Sequence, residues 1–264
     1  MGVRPIVIDL FCGLGGWSEG FLSEGYDCVG YDIERHDYGS GVYPGTLIIQ
    51  DVLSLHGSQF AHATVIVASP PCQAYSYRAM PWKRAKALPP PDNSLFESCF
   101  RLQREASEAA GRFIPMVVEN VKGAQPWVGR AKAHFGSFFL WGNIEMHGDK
   151  ILVPGKWDSF LRAPGRCPVT GTKTVGHVNI RDGHSHTRHL TNQREGDGVK
   201  VHLSGRAWFA EGLGKVSSKS DSRKAASAQI AKIPEPLSRW IAMVYKKHID
   251  TQMVHAHTHN HNTL

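Results

Sequence analysis

The chain has 264 residues, of which 41% are hydrophobic and 20% are charged, the balance of a globular rather than a disordered protein. A formal net charge of +7 favours polyanionic partners. The sequence has neither a signal peptide nor an apolar run of membrane-spanning length, so we expect a cytoplasmic protein without membrane attachment. Its five cysteines lack C-x-x-C spacing, which argues against a disulfide framework or a zinc knuckle.

The N-terminal stretch predicts a strand, a glycine-rich turn and a helix in succession. The strand covers residues 5–10, the turn contains Gly13, Gly15 and Gly16, and the helix covers residues 17–23. Such a turn lets the backbone approach a nucleotide-type cofactor, and the helix N-terminus offers free N–H groups. The G-x-G-G spacing meets neither the dinucleotide fingerprint nor the P-loop pattern. A cofactor site and a plain tight turn both fit these residues.

Two further predicted strands each end in an aspartate. Residues 26–31 are followed by Asp32, and residues 46–50 are followed by Asp51. A carboxylate after the second strand of such a unit can accept hydrogen bonds from ribose hydroxyls. A carboxylate after the third strand can accept one from the adenine amino group. The pattern predicts half of a doubly wound, mostly parallel α/β sheet with an adenosine across its edge.

A cysteine follows the fourth predicted strand, the buried apolar run 64–68. Pro70 and Pro71 exclude helix and ladder pairing, so the chain turns and presents Cys72 at the carboxyl end of the sheet. Alone, this cysteine fits a structural thiol as well as a nucleophile. A fifth predicted strand ends in Glu119, and a thiol beside a carboxylate at neighbouring strand ends favours a catalytic pair.

The segment after Cys72, residues 74–86, is basic, aromatic and flanked by prolines. We predict a loop whose cationic side chains contact phosphates, although a solvated charged helix also fits. These side chains are Arg78, Lys83, Arg84 and Lys86.

The rest of the chain predicts further regular elements around an irregular basic region. These elements are a helix over 93–111, strands over 114–118 and 135–141, and helical segments over 225–232 and 237–248. Residues 150–220 lose apolar periodicity and are rich in Gly, Pro, His and Arg. Their clustered histidines His184, His186 and His189 lack a supporting set of cysteines or carboxylates, so no metal site is predicted.

Three motifs together resemble those of the DNA cytosine-5 methyltransferases. They are Asp9-Leu-Phe11-Cys-Gly13-Leu-Gly15-Gly16, Pro70-Pro-Cys72-Gln73-x-x-Ser76 and Glu119-Asn120-Val121, in the order of that family. The similarity covers residues 5–145 and resumes at 230–237, and the segment from Met80 resembles small, phage-like members. The resemblance implies the S-adenosylmethionine-dependent methyltransferase fold in a bacterial or phage-infected cell.

The resemblance also implies an organisation into four parts. Residues 1–148 would form the catalytic and cofactor-binding domain, and 149–220 a small target-recognition region. Residues 221–249 would pack back on the catalytic domain, and 250–264 would be a disordered tail. The implied protein is a monomer that acts on double-stranded DNA, and a restriction endonuclease partner stays an open question.

Specific roles follow from the resemblance for each matched residue. Cys72 would add to cytosine C6, and Glu119, protonated or sharing a proton with N3, would neutralise charge on a flipped base. Residues expected at S-adenosylmethionine are Phe11, Gly13, Leu14, Gly15, Gly16, Asp32, Ile33, Asp51, Val52, Pro71 and Leu95. Residues expected at DNA are Gln73, Ser76, Arg78, Lys83, Arg84 and Arg188.

The chain departs from the family pattern at two places. No Gln-Arg-x-Arg segment is evident, and Arg188 or Arg194 could replace its arginine. Ile230 and Ala231 stand where the last motif normally has Gly-Asn. The leading prediction is an active DNA cytosine-5 methyltransferase; a related transferase with another donor and a DNA-binding protein with a degenerate site are the alternatives. The G-x-G-G spacing and the proline pair disfavour a Rossmann oxidoreductase.

Overall fold

The computed structural model describes residues 4–37, 42–76, 88–144 and 221–246, together with four isolated two-residue strands. Its main sheet contains β1 (Ile6–Leu10), β2 (Asp27–Asp32), β3 (Thr46–Ile49), β4 (Val65–Ala68), β5 (Met116–Asn120), β6 (Ala133–Phe135) and β7 (Phe138–Gly142). The helices are α1 (Gly16–Ser23), α2 (Ser94–Ala110), α3 (Gln125–Val128), α4 (Asp221–Ala231) and α5 (235–246). The isolated strands pair as β8 (Met146–His147) with β9 (Lys150–Ile151), and β10 (Gly165–Arg166) with β11 (Lys173–Thr174).

The described strands of the main sheet follow the order β3-β2-β1-β4-β5-β7-β6. Strands β1 to β5 pair in parallel, and β7 runs antiparallel to both of its neighbours. The predicted doubly wound, mostly parallel sheet is therefore confirmed. The strand order reverses between β1 and β4, and the carboxyl ends of strands at such a switch point form the ligand crevice in open α/β sheets. The glycine turn follows β1 there, and the Cys72 turn follows β4.

The sheet is buried on both faces, which explains why β4 consists only of apolar residues. Successive side chains of a strand point to opposite faces. Val65 and Val67 pack with α1 and the C-terminal helix, whereas Ile66 and Ala68 pack with α2.

The C-terminal helix α5 packs directly on α1. Its side chains share one buried cluster with those of α1; the cluster includes Trp17, Phe21, Leu237, Trp240, Ile241 and Tyr245. The Tyr26 hydroxyl donates to the Ala242 carbonyl at 3.1 Å, and Lys246 Nζ donates to the Glu24 carbonyl at 2.6 Å. Helix α5 therefore completes the part of the hydrophobic core that contains α1.

The predicted position of the fifth strand was wrong by two residues. The apolar run predicted residues 114–118 with Glu119 at the strand tip, whereas β5 is Met116–Asn120. The cause is the pairing with β7, which joins Glu119 to Leu140 and Asn120 to Phe139. Glu119 is thus paired within the sheet, one residue before β5 ends.

The single strand predicted over residues 135–141 is a hairpin instead. Strand β6 ends at Phe135 and β7 begins at Phe138, with Gly136 and Ser137 between them. Gly136 has a φ of 57°, which a glycine adopts without strain in a two-residue hairpin loop.

No helix within the described ranges is long and apolar enough to cross a membrane. The four cysteines in those ranges, Cys12, Cys28, Cys72 and Cys99, are free thiols.

Candidate active site

The glycine turn after β1 has a left-handed backbone at three positions. Phe11 has a φ of 56°, Gly13 of 50° and Gly15 of 77°. The Gly15 N–H donates to the Cys12 carbonyl at 2.8 Å, and α1 begins at Gly16. The turn therefore bends the chain sharply at the carboxyl end of β1.

The three glycines of this turn serve different purposes. A Cβ on Gly15 would lie 2.5 Å from Pro44 Cδ, and a Cβ on Gly16 would lie 2.6 Å from the backbone N and O of Ile233. A Cβ on Gly13 would meet no atom within 4 Å. Gly15 and Gly16 are thus required for packing within the protein, and Gly13 is the one that leaves space for a ligand.

Asp32, at the end of β2, is tied to the glycine turn. Its Oδ2 accepts the Gly13 N–H at 2.9 Å, and its Oδ1 accepts the Ile33 N–H at 2.8 Å. His36 Nε2 lies 3.2 Å from Oδ1. Burial would raise the pKa of Asp32, but the hydrogen bonds from His36 and from the Gly13 backbone outweigh it and lower that pKa. The hydrogen bond to Asp32 in turn raises the pKa of His36.

A second carboxyl group lies beneath the turn. Asp9 is fully buried, and its Oδ2 accepts hydrogen bonds from Ser18 Oγ at 2.8 Å and from the Tyr43 hydroxyl at 3.3 Å. Burial raises the pKa of Asp9 to about 8, so the group is protonated at neutral pH. This network fixes Tyr43, whose ring lies beside Gly15, Gly30 and Gly45.

A cleft opens beside the glycine turn, lined among others by Gly13, Leu14, His36, Tyr43 and Lys232. His36 and Tyr43 were missed in the sequence because neither belongs to a motif. Among the residues predicted to bind adenine, the Ile33 side chain is 69% exposed and Val52 is buried. Asp51 is exposed, and its Oδ1 accepts the Leu53 N–H at 2.9 Å.

The Cys72 turn is anchored on both sides. Trp17 Nε1 donates to Ser69 Oγ at 2.9 Å, and Asn120 Nδ2 donates to the Pro70 carbonyl at 2.9 Å. The Cys72 carbonyl accepts the Tyr75 N–H at 3.0 Å and Ser76 Oγ at 2.9 Å. Cys72 itself is partly exposed, and Pro71 and Gln73 beside it are exposed. The turn is a fixed support for an accessible thiol.

Glu119 lies on the strand next to this turn, with 6% of its surface exposed. The β4–β5 register pairs Ala68 with Val118, so the chain beyond Ala68 runs alongside Glu119 and Asn120. The thiol and the carboxyl therefore emerge from neighbouring strands at one edge of the sheet. Leu95 is half-buried in the first turn of α2.

Several predicted residues lie outside the described ranges. They are Arg78, Lys83, Arg84, Lys86, His184, His186, His189, Arg188 and Arg194. Within those ranges, no group of three or more His, Cys, Asp or Glu side chains could hold a metal ion.

The family model described as C-5 cytosine-specific DNA methylase matches residues 6–125. Residues 6–125 are a C-5 cytosine-specific DNA methylase domain. The methylase domain contains the glycine turn, the Cys72 turn and Glu119. It contributes β1 to β5 to the mostly parallel seven-stranded sheet, which has the S-adenosylmethionine-dependent methyltransferase fold that the resemblance implied.

Solved structures similar to this chain come from bacteria and eukaryotes. An E. coli prophage protein described as a DNA modification methyltransferase is 25% identical, with 48% of this chain and 35% of that chain covered and a TM-score of 0.35. The Entamoeba histolytica methyltransferase EhMeth is 19% identical over 48% and 41% of the two chains, with a TM-score of 0.32. The S. pombe Dnmt2 methyltransferase is 11% identical over 93% and 99%, with a TM-score of 0.45. The chain thus spans less than half the length of the first two. No curated protein sequence matches the chain.

Proposed function

We propose that this protein transfers a methyl group from S-adenosylmethionine to C5 of cytosine in double-stranded DNA. The observation that carries the proposal is the placement of an accessible thiol and a buried carboxyl after neighbouring strands at one sheet edge, within a C-5 cytosine-specific DNA methylase domain. The glycine turn lies across the switch point from that pair.

The residues of the cleft suit the cofactor. Gly13 lines the cleft and leaves its Cβ direction open; beside the cleft, Asp32 offers a carboxylate for ribose hydroxyls, and the exposed Ile33 offers an apolar surface for adenine. When bound, S-adenosylmethionine supplies the methyl group that C5 receives. Phe11, Leu14, Asp51, Val52, Pro71 and Leu95 complete the proposed set.

Catalysis would begin with covalent activation of the base. Cytosine C5 is a weak nucleophile, and addition of the Cys72 thiolate at C6 moves the electrons of the C5–C6 double bond toward C5. Glu119 gives a proton to N3 as negative charge develops on the ring. After C5 has gained its methyl group, with S-adenosylhomocysteine as the leaving group, the C5 proton passes to solvent; this step reforms the C5–C6 double bond and expels Cys72 as thiolate. The N3 proton then returns to Glu119.

The substrate would have to leave the duplex, because neither C6 nor N3 is accessible in a stacked base pair. Gln73 and Ser76 follow Cys72 directly, and we propose that they lie near the DNA backbone with Arg78, Lys83, Arg84 and Arg188. Residues 149–220 are the proposed target-recognition region, and residues 221–249 are proposed to complete the catalytic domain.

Incubation with duplex DNA of varied sequence and labelled S-adenosylmethionine tests this function. We expect 5-methyldeoxycytidine on nucleoside analysis, with one S-adenosylhomocysteine formed per methyl group. DNA binding without any modified base would indicate a degenerate site or a requirement for another donor. Either outcome would contradict the proposal.

A pH dependence follows from the contact between Asp32 and His36. Protonated His36 occupies Oδ1 of Asp32, the group that would accept the ribose hydroxyl. Protonated His36 and the ribose hydroxyl would therefore compete for Asp32. Because the pKa of His36 is raised, His36 is fully protonated below its ordinary pKa of about 6.5, and the competition is lost as the pH rises through the raised value. We expect affinity for S-adenosylhomocysteine to rise about three- to tenfold between pH 5.5 and 8, as expected for an ion pair worth about 1 kcal/mol.

Calorimetric titration of the wild type and of His36→Ala across this pH range measures the effect. The variant should bind at low pH as tightly as the wild type does at high pH, and titration of the ligand itself cancels in the comparison. Weaker binding by His36→Ala at every pH would instead mean that His36 supports the ribose site.

A further inference from the structure

We propose that residues 121–134, here called the basic segment, form a preorganised surface for the backbone of duplex DNA beside the catalytic edge. The inference rests on the proposed function, since it identifies where the described part of the chain holds that substrate. The basic segment follows Glu119 and Asn120 directly, and its first residue, Val121, is its one member in the three motifs.

The charge of the basic segment is one-sided. From Val121 to Ile144 the sequence has no aspartate or glutamate, whereas the basic segment contains Lys122, Arg130 and Lys132. All three cations are exposed. An exposed cationic surface of this kind attracts phosphates and releases counterions when it binds them.

Hydrogen bonds to β7 and within the segment hold the backbone of the basic segment in place. Trp141 Nε1 donates to the Gly129 carbonyl at 2.9 Å, and the Lys132 N–H donates to the Leu140 carbonyl at 2.8 Å. The Ala131 N–H donates to Gln125 Oε1 at 3.3 Å. Fixed backbone anchors beside Arg130 and Lys132 reduce the entropy lost when these side chains bind phosphates.

The basic segment also touches the Cys72 turn. A Cβ on Gly123 would lie 2.3 Å from the Tyr75 carbonyl oxygen, so the two turns are in close contact. The Tyr75 hydroxyl donates to Asn93 Oδ1 at 2.9 Å, and Asn93 Nδ2 donates to the Trp127 carbonyl at 3.4 Å. DNA that brings a base to Cys72 therefore passes close to the basic segment.

Trp127 adds an apolar contact to the cationic surface. Its side chain is 41% exposed although it is large and aromatic. Tryptophan is enriched where proteins bind partners, and its ring can pack on a sugar of the DNA backbone. Asp92 is the acidic residue next to Asn93 in the sequence. Its carboxylate accepts the Ser94 N–H at 2.8 Å at the start of α2.

The test is the salt dependence of duplex binding by the full chain with saturating S-adenosylhomocysteine. A fluorescent 30-base-pair duplex of mixed sequence would be titrated between about 50 and 200 mM salt. For Arg130→Ala/Lys132→Ala we expect the slope of log K against log salt to fall by about 1.8, or about 0.9 for each lost phosphate contact. Trp127→Ala should weaken binding without changing the slope, because it removes no charge.

The matched control is Arg104→Ala/Lys224→Ala, which removes two exposed cations from α2 and α4. Its slope should equal that of the wild type. An unchanged slope in Arg130→Ala/Lys132→Ala, or an equal fall in the control, would overturn this proposal. The proposed function would still stand in that case if the wild type transfers methyl groups to DNA. A wild type that neither binds duplex nor methylates it would overturn both.

Discussion

Cys72→Ala is expected to abolish methyl transfer, lowering kcat by at least about a thousandfold, while leaving affinity for S-adenosylhomocysteine within about twofold. The thiol would form the bond to C6, and no other described cysteine can substitute for it. Burial raises the pKa of Cys28 to about 12 and also raises the pKa values of Cys12 and Cys99. Labelled-methyl incorporation and calorimetry would measure the two effects.

Cys28→Ser is the matched control for this substitution. Cys28 is a buried thiol of β2 whose Sγ lies 3.6 Å from the Ser18 carbonyl, a contact that a serine hydroxyl can replace. It should retain wild-type turnover. Duplex containing 5-fluorocytosine should trap the wild type covalently, because fluorine cannot leave C5 as a proton does, and should fail to trap Cys72→Ala. Full turnover by Cys72→Ala would refute the assignment of the nucleophile.

Asn120→Ala should have the second largest effect, on both stability and catalysis. Asn120 is 1% exposed; its Nδ2 donates to the Pro70 carbonyl, and its Oδ1 accepts the Val121 N–H at 2.8 Å. Truncation leaves these two groups unpaired, at a cost of about 2–4 kcal/mol in the free energy of unfolding. It also releases the Cys72 turn, so we expect kcat to fall about a hundredfold. The KM for the cofactor should change little.

Asn143→Ala separates the catalytic effect from the loss of stability. Asn143 Oδ1 accepts the Met116 N–H at 3.1 Å, so it anchors the opposite end of the same strand. Its truncation should destabilise the fold in denaturant unfolding but leave kcat of the folded enzyme near the wild-type value. Equal kcat losses in the two variants would show that Asn120 acts through stability alone.

Local patterns predicted the elements that depend on short-range sequence. The apolar run of β4 identified a doubly buried strand, and the proline pair after it identified the Cys72 turn. The end of β5 was misplaced because it is set by pairing with β7, a partner more than 15 residues away in the sequence. The hairpin at Gly136 was missed because Phe135 before it and the run Phe138-Phe-Leu-Trp141 after it mimic one apolar strand.

In the candidate site, too, the motifs predicted some features, whereas others depend on contacts between distant residues. The order of the three motifs predicted which strand ends would meet, because the carboxyl ends of parallel strands share one edge. The hydrogen bond from Asn120 to the Pro70 carbonyl and the contact of His36 with Asp32 arise only when the chain has folded. The packing role of Gly16 against Ile233 was equally hidden, since the two residues lie far apart in the sequence.

The packing of α5 on α1 has a consequence for synthesis on the ribosome. Trp17 and Phe21 leave the exit tunnel early, yet their partners Trp240 and Ile241 are translated more than 200 residues later. At a synthesis rate of about 5–20 residues per second, the apolar surface that α5 will bury stays exposed for at least about ten seconds. We therefore expect the growing chain to bind chaperones until α5 has been synthesised.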